Sequence, residues 1–203
     1  MIKNIIFDLG NVLIKYSPES FLEKNVKKER QEKFIATVFK SKEWLELDRG
    51  TLSYEDAIEK FAEIIPEDRE NLEKLFKNNI MDCLAPIEEN IEILKKLKKK
   101  GYNLFVLSNF HRPAFEQVQK EWEFFDEFDG GVISCYCHLL KPNQRIYELL
   151  LARYGLIPEE TLFIDDTKIN VEKAEKIGMG GIYLDLPEML EKLLKKKGIE
   201  VQN

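Results

Sequence analysis

Cysteine is scarce in this sequence of 203 residues, and long apolar runs are missing from it. The three cysteines, Cys83, Cys135 and Cys137, are an odd number and too few for a disulfide framework in a chain of this length, so we expect reduced thiols. No apolar run approaches the roughly 18 residues that are needed to cross a bilayer. The opening segment MIKNIIFDLG reaches the charged Asp8 before a signal-peptide core could develop. We therefore expect a cytoplasmic protein without a membrane partner.

An excess of positive charge is also missing. Lysine and arginine together number 31 against 37 aspartates and glutamates, which gives a net charge of −6. This balance argues against a protein that binds nucleic acid through bulk attraction to the phosphate backbone. The composition, 44% hydrophobic and 33% charged, fits one globular unit or one domain that carries a large insertion. The oligomeric state is not encoded in any of these quantities.

Short apolar runs alternate with helical patterns along most of the chain. The runs predict buried strands at residues 3–7, 103–107, 131–134, 161–164 and 181–184. Apolar residues at helical spacing predict helices at residues 87–100, 112–122, 143–154, 169–177 and 187–197. Strands that alternate with helices favour a Rossmann-like α/β fold, in which about five parallel strands form an open sheet covered by helices on both faces.

One interval breaks the alternation. From Asp8 to the next predicted strand at Asn103 the chain is far too long for a single crossover helix. Residues 16–83 show no strand signal but several amphipathic segments, and Ser53 with Asp56 resembles a capping box at the start of the last of them. We expect an all-helical cap at residues 16–83, inserted into a core made of residues 1–15 and 84–203.

Polar residues follow three of the predicted strands at the point where each strand ends. Asp8 follows KNIIF, Ser108 follows NLFVL, and the pair Asp165 and Asp166 follows TLFI. Lys141 comes a short loop after the weaker fourth strand. Ligands of open parallel sheets bind beyond the carboxyl ends of the strands, so these side chains are candidates for one site.

Three carboxylates at one sheet edge repel each other unless a cation neutralises them, and an oxygen-rich site of this type suits Mg²⁺. With Mg²⁺ and Lys141 in place the site can hold a phosphate group. A free carboxylate can then attack the phosphorus in line and form an aspartyl-phosphate that water hydrolyses. The metal and Lys141 stabilise the charge on the phosphoryl oxygens, and Ser108 and backbone N–H groups after Asp8 hydrogen-bond to them.

These residues lie in four motifs that resemble those of the haloacid dehalogenase-like (HAD) hydrolases. The motifs are FDLGNVL at 7–13, VLSN at 106–109, LKP at 140–142 and FIDD at 163–166. They occur in the family's order and span nearly the whole chain, and residues 16–83 stand where the family carries its type 1 helical cap. The resemblance implies a phosphatase that acts on a small phosphorylated metabolite.

The resemblance implies a role for each matched position. Asp8 is the nucleophile, and Lys141 is the cation that bridges the nucleophile and the phosphate. Ser108 and Asn109 are phosphate contacts.

The resemblance also implies a set of metal ligands. Asp8 binds Mg²⁺ through its side chain and Gly10 through its backbone carbonyl. Asp165 and Asp166 complete the metal site, and which of the two coordinates directly stays open.

The sequence departs from the family pattern at Gly10, where most phosphatases of the family have a second aspartate that acts as general acid and base. A general acid contributes about 10²–10⁴-fold in rate. A sugar 1-phosphate needs it least, because an anomeric hydroxyl is more acidic than an ordinary alcohol. The DLGNV, HRPAF and KPNQRIYE segments also resemble a bacterial subgroup related to α-D-glucose-1-phosphate phosphatase. We expect an active phosphatase for a sugar phosphate such as glucose 1-phosphate.

Three other functions stay open, one of them minor. A 2-haloacid dehalogenase uses the same aspartate to attack carbon without a metal, but it does not explain the pair Asp165 and Asp166. A phosphometabolite-binding protein that has lost turnover is consistent with Gly10, but it has no need of an attacking carboxylate. A phosphomutase shares the first chemical step and is a minor alternative.

Several other polar residues have both a functional and a structural interpretation. His111 either touches substrate or is an exposed loop residue, with the exposed position slightly favoured. Arg49 either meets substrate or pairs with an acidic neighbour, and Asn170 either orients the acidic loop or faces solvent. Asp166 is also a candidate N-cap of the following helix. The CYCH segment at 135–138 is a poor zinc signature, because it lacks a second cysteine pair.

Overall fold

A parallel sheet forms the centre of the protein. The computed structural model describes residues 1–201, except the side chains of residues 78 and 79. The strands found in this part of the chain are β1 (Asn4–Phe7), β2 (Ile14–Tyr16), β3 (Leu84–Pro86), β4 (Asn103–Ser108), β5 (Gly130–Ile133), β6 (Thr161–Asp165) and β7 (Gly180–Tyr183). Five of them pair in parallel in the order β5-β4-β1-β6-β7. The predicted Rossmann-like sheet is confirmed, and each of its strands lies within one residue of the predicted bounds.

Strands β2 and β3 were not predicted from the sequence. They form a separate antiparallel pair, in which Ile14 lies opposite Pro86 and Tyr16 opposite Leu84. Each strand has three residues, which is too short for an alternating pattern to be visible, and the expectation of no strand between Asp8 and Asn103 is therefore wrong. Strand β2 lies at the start of the segment that is predicted to form the cap, and β3 follows its end.

Helices connect the strands and cover the sheet. They are α1 (Pro18–Asn25), α2 (Lys28–Thr37), α3 (Lys42–Arg49), α4 (Tyr54–Ile64), α5 (Arg69–Lys74), α6 (Glu88–Lys99), α7 (Arg112–Glu121), α8 (Ser134–Cys137), α9 (Gln144–Tyr154), α10 (Lys168–Lys176) and α11 (Leu190–Lys196). Shorter helical turns occupy Pro66–Asp68, Leu75–Asn79, Ile80–Cys83, Glu123–Glu127, Pro158–Glu160 and Pro187–Met189. No helix in residues 1–201 has both the length and the apolar character of a membrane span.

Both faces of the sheet are buried, which explains why its strands read as continuous apolar runs. Along β1, the side chains of Ile5 and Phe7 point into one apolar cluster, and Ile6 points into another on the opposite face. Leu162 and Phe163 of β6 divide between the same two clusters. The alternation fixes the strand register, because a shift by one residue would exchange the two faces.

The segment between β2 and β3 has an apolar cluster of its own. Phe21, Phe34 and Phe61 are fully buried in it, and Ala114 of α7 joins it from the other part of the chain. The hydroxyl of Ser53 accepts a hydrogen bond from the Asp56 N–H at 3.0 Å and donates to Asp56 Oδ2 at 2.8 Å, so Ser53 is the helix N-cap of α4, as one half of the predicted capping box requires. The division of the chain into a core and a cap stays a prediction.

A tyrosine hydroxyl holds the edge strand β5. The Tyr154 hydroxyl accepts a hydrogen bond from the Gly131 N–H at 2.8 Å and donates to the Gly131 carbonyl at 3.2 Å. We expect Tyr154→Phe to lower the free energy of unfolding by about 1–2 kcal/mol, because the Gly131 N–H loses its partner and the Gly131 carbonyl keeps only the longer contact to Arg153 Nη1 at 3.4 Å. Tyr183→Phe, at a side chain that is 43% exposed, serves as the control and should change it by less than about 0.5 kcal/mol. Urea unfolding measures both variants, and equal midpoints would contradict this account of the strand edge.

Candidate active site

Three carboxylates meet where β1 and β6 end. Asp8 directly follows β1, Asp165 is the last residue of β6, and Asp166 comes next. Each offers an oxygen atom, and these atoms lie within 4.8 Å of one another. Within the described part of the chain, this is the only grouping of three or more acidic, histidine or cysteine side chains found with such spacing. The parallel register of β1 and β6 brings them together, because Phe7 lies opposite Ile164.

Lys141 lies between two of these carboxylates. Its Nζ atom is 2.8 Å from Asp8 Oδ1 and 2.6 Å from Asp165 Oδ2, and its side chain is 2% exposed. The Asn109 side chain fixes the lysine backbone: Asn109 Oδ1 accepts from the Lys141 N–H at 2.9 Å, and Asn109 Nδ2 donates to the Lys141 carbonyl at 3.3 Å. The role of Asn109 as a phosphate contact stays a prediction, while its observed partner is the backbone of Lys141.

The two aspartates after β6 are held by different neighbours. Asn170 Nδ2 donates to both carboxylate oxygens of Asp165, at 3.0 and 3.2 Å, so Asn170 orients the acidic loop and is buried. Asp166 Oδ2 accepts from Asn11 Nδ2 at 2.9 Å. The interpretation of Asp166 as a helix N-cap is wrong. Thr167 is the N-cap of α10, and its N–H donates to Asp165 Oδ1 at 2.8 Å.

Charge and burial act against each other at this site. Burial raises the pKa of Asp8 to about 7; Lys141 and a hydrogen bond from Ser108 lower it, and Asp165 raises it. Burial lowers the pKa of Lys141, but Asp8 and Asp165 outweigh that effect and the pKa is raised. One ammonium group therefore contacts two carboxylates of a group of three. A divalent cation would complete the neutralisation, and three hard oxygen donors suit Mg²⁺, so the residues present fit this ion.

A cavity of about 240 Å³ opens over the carboxylates. Its polar wall includes Asp8, Ser108 and Lys141, and its apolar wall includes Trp44 and Phe110. The remaining lining residues are Gly10, Asn11, Ile14, Tyr16, Asp48, Ile80, Leu84, Asn109, His111, Ala114, Asp166, Thr167 and Asn170. The volume lies just below the range of about 300–1,000 Å³ that is typical of drug-sized ligands, and it suits a small metabolite.

Trp44 and Asp48 are two of the cavity-lining residues that were not predicted from the sequence. They lie one turn apart on α3, and their spacing of four residues puts them on one helix face. His111 was expected to be exposed, but it is 3% exposed and lies against Trp44, with ring centroids 4.3 Å apart. The sequence does not reveal this, because the burial of His111 depends on how α3 packs over the sheet edge.

Two further candidates have structural contacts. Arg49 pairs loosely with Glu46 at 3.7 Å and is not among the cavity-lining residues. His138 is bonded through Nδ1 to the Arg49 carbonyl at 2.9 Å, and Cys135 is buried. The CYCH segment therefore contacts the end of α3 through His138.

The family model of haloacid dehalogenase-like hydrolases matches residues 2–178. The chain therefore belongs to this family. It is 28% identical to a sesquiterpene phosphatase, astK, of Aspergillus oryzae, over 90% of this chain and 89% of that protein. It is 25% identical to a D-ribitol-5-phosphate phosphatase of Bacteroides thetaiotaomicron, over 88% of this chain and 89% of that protein. A HAD enzyme of Bacteroides thetaiotaomicron, solved with magnesium and inorganic phosphate, has the same fold, with a TM-score of 0.70 and 23% identity over 90% of this chain and 93% of that one.

Proposed function

We propose that this protein is a Mg²⁺-dependent phosphatase that hydrolyses a small phosphorylated metabolite through an aspartyl-phosphate on Asp8. The observation that carries the proposal is the placement of Lys141 between Asp8 and Asp165, next to a third carboxylate, at the floor of a small cavity. An anion-binding cation, a nucleophilic carboxylate and a metal-binding acidic cluster are the parts that phosphoryl transfer requires.

The proposed metal ligands are the side chains of Asp8, Asp165 and Asp166 and the backbone carbonyl of Gly10. When bound, Mg²⁺ neutralises charge on the phosphoryl oxygens and on the carboxylates. Asn170 and Asn11 keep Asp165 and Asp166 oriented, because each donates a hydrogen bond to one of them.

The proposed reaction uses this chain's residues in two steps. Asp8 attacks phosphorus while Lys141 and the Ser108 hydroxyl stabilise the phosphoryl oxygens. The P–O bond to the leaving alcohol breaks, and water then attacks the phosphorus and frees Asp8. Gly10 has no side chain that could protonate the leaving alcohol.

We also propose that residues 16–83 form a cap on a core made of residues 1–15 and 84–203. Two observations support this division. The segment between β2 and β3 has an apolar cluster of its own, and Trp44 and Asp48 of α3 line the cavity over the carboxylates. In this arrangement the cap shields the reaction from water and selects the substrate.

The proposed substrate class is the sugar phosphates, such as glucose 1-phosphate. The lining combines hydroxyl, amide and carboxylate groups with the indole of Trp44, which suits a polyhydroxylated ring. The motif resemblance to the α-D-glucose-1-phosphate phosphatase subgroup supports the same class, and so does the name of the ribitol-phosphate relative. Because one relative is named as a sesquiterpene phosphatase, prenyl phosphates are also candidate substrates to be tested.

The test is a panel of sugar, nucleotide, short-chain and prenyl phosphates assayed for orthophosphate release. With Mg²⁺ we expect turnover of at least one sugar phosphate. With excess EDTA we expect a loss of at least about 100-fold, because the metal contributes several kcal/mol of charge stabilisation.

Each contrary outcome of the panel has a definite meaning. Halide release from 2-haloacids in EDTA identifies a dehalogenase. Tight binding of sugar phosphates without orthophosphate release identifies a binding protein. Either outcome overturns the proposal.

A further inference from the structure

The backbone does not require glycine at position 10, where most phosphatases of the family have an acid. A Cβ atom built on Gly10 would meet no other atom within 4 Å, and Gly10 is not among the glycines with a positive φ. The site therefore has room for a Cβ atom at position 10 and does without one. A proton donor for the leaving alcohol has to come from elsewhere in the cavity, or the substrate has to leave without it.

One acid lines the cavity and has no part in the proposed metal site. Asp48 lies in the last turn of α3, and its side chain is 15% exposed. The titratable groups that face it are Asp8, Tyr16, Tyr54, His111, Cys135 and Lys141.

The partner of Asp48 can accommodate either protonation state. Asp48 Oδ1 is 3.4 Å from His111 Nε2, and His111 Nδ1 is 3.5 Å from the Tyr54 hydroxyl. The Nε2 contact is long, and this buried nitrogen has no aligned hydrogen bond in the described residues. Burial lowers the pKa of His111 to about 3, so the imidazole is neutral. A neutral imidazole has one donor and one acceptor nitrogen, and it can serve a carboxylic acid in one tautomer and a carboxylate in the other.

The backbone around Asp48 is tied to the residues that follow β4 and β5. The Ser134 hydroxyl donates to the Asp48 carbonyl and accepts from the Phe110 N–H at 3.0 Å. Gly50 ends α3 in the left-handed conformation, with φ of 72°, and packs against the Cys135 backbone. These contacts hold the end of α3 over the site and reduce the cost of positioning its carboxyl group.

The environment of Asp48 also favours retention of a proton. Burial raises the pKa of Asp48 to about 7; the Asp8 charge raises it and Lys141 lowers it. An acid with a pKa near the working pH can both give and take a proton.

We propose that Asp48, acting within the phosphatase function proposed above, is the general acid and general base of this enzyme. As Asp8 forms its bond to phosphorus, the P–O bond to the alcohol breaks and the leaving oxygen takes the Asp48 proton. In the second step, the Asp48 carboxylate takes a proton from water as the water oxygen bonds to phosphorus. The P–O bond to Asp8 then breaks, which regenerates the Asp8 carboxylate and the protonated Asp48.

The test compares Asp48→Asn with the wild-type chain on two leaving groups. Glucose 6-phosphate releases an alkoxide that needs a proton, and p-nitrophenyl phosphate releases a stable phenolate that does not. With Mg²⁺ we expect the first-turnover release of glucose to fall by about 10²–10⁴-fold in the variant. First-turnover release of p-nitrophenolate should fall by less than about tenfold. It should appear as a burst of about one equivalent per chain, because hydrolysis of the intermediate has lost its base.

The matched control is Glu46→Gln on the same helix, at a side chain that is 48% exposed. Both of its first-turnover rates should equal those of the wild-type chain. An equal loss on the two substrates in Asp48→Asn would assign Asp48 to positioning and overturn the proposal, as would no loss on either. If the wild-type chain releases phosphate from no ester in the panel, the phosphatase function fails first and this inference falls with it.

If Asp48→Asn does not fold, the pH dependence of the wild-type chain provides a second test. The acid acts in its protonated form, so the first-turnover rate with glucose 6-phosphate should fall as the pH rises through the pKa of Asp48. The rate with p-nitrophenyl phosphate should lack this decrease. Parallel pH profiles for the two substrates would overturn the proposal.

An acid at Asp48 also changes the expected substrate preference. The anomeric hydroxyl of glucose 1-phosphate is a better leaving group than the alcohol of glucose 6-phosphate, which matters only when no proton is supplied. The first-turnover rate with glucose 1-phosphate, divided by the rate with glucose 6-phosphate, should therefore be at least about tenfold higher in Asp48→Asn than in the wild-type chain. An unchanged ratio would contradict the role of Asp48.

Discussion

Asp8→Asn is expected to lower kcat for orthophosphate release by at least about 10⁴-fold, because the amide cannot act as the attacking nucleophile. The substitution preserves the size of the side chain at the end of β1. It removes one of the two carboxylates that contact Lys141, and Asp165 remains as the counterion, so the fold should be retained. The measurement is orthophosphate release at saturating Mg²⁺ with the best substrate of the panel.

The control for this variant is Asp126→Asn, which makes the same change of charge at an exposed carboxylate. Its kcat should match that of the wild-type chain. Turnover by Asp8→Asn within tenfold of wild type would show that water attacks phosphorus without a covalent intermediate on Asp8.

Lys141→Met is expected to affect both stability and catalysis. The ammonium group is buried between Asp8 and Asp165, and its removal leaves two buried carboxylates without their nearest counterion. Loss of one partner of a buried ion pair costs about 3–5 kcal/mol, so the free energy of unfolding measured in EDTA should fall by that amount. Added Mg²⁺ should recover more stability in the variant than in the wild-type chain, because it is then the main neutralising cation.

The same substitution should lower kcat by about 10²–10³-fold at saturating Mg²⁺, because a preorganised charge on the phosphoryl oxygens is lost. Lys40→Met, at an exposed lysine, is the control for both measurements. Urea unfolding with and without Mg²⁺ measures the change in the free energy of unfolding. An unfolding midpoint in EDTA equal to that of the wild-type chain would contradict the ion-pair account.

The sheet and its polar edge could be predicted because local patterns encode them. Each buried strand is an apolar run, and in β1 and β4 the run ends in a single polar residue, Asp8 or Ser108. Parallel pairing then brings these ends to one edge. Lys141 could be added because its motif follows the fourth strand, although its contact with two carboxylates depends on a loop that Asn109 holds in place.

The opposite wall of the cavity could not be predicted in this way. Asp48 and His111 belong to segments far apart in the chain, and they meet only because α3 packs over the start of α7. No local pattern marks a helix-surface aspartate as buried against a histidine. Asn11 was missed for a related reason: it holds Asp166 from a left-handed backbone conformation, with φ of 52°, which the sequence permits but does not require.

The sheet edge and helix α3, on opposite sides of the cavity, have different proposed roles. In the proposed mechanism, the residues at the sheet edge bind the phosphoryl group and attack it, and Asp48 on α3 donates and accepts the proton. A HAD chain with Gly10 can then keep full acid–base function, with the acid supplied by the helical segment. In that case substitutions on α3 alter the leaving-group dependence while those at the sheet edge alter every substrate equally.

The central claim, a covalent phosphate on Asp8, is tested most directly by trapping it. The wild-type chain is mixed with Mg²⁺ and substrate, quenched in acid within one turnover and treated with borohydride, which reduces an aspartyl-phosphate to homoserine. Peptide mass spectrometry should find homoserine at position 8, and omission of Mg²⁺ should abolish it. Active turnover with an unmodified Asp8, or with the modification on another residue, would contradict the account.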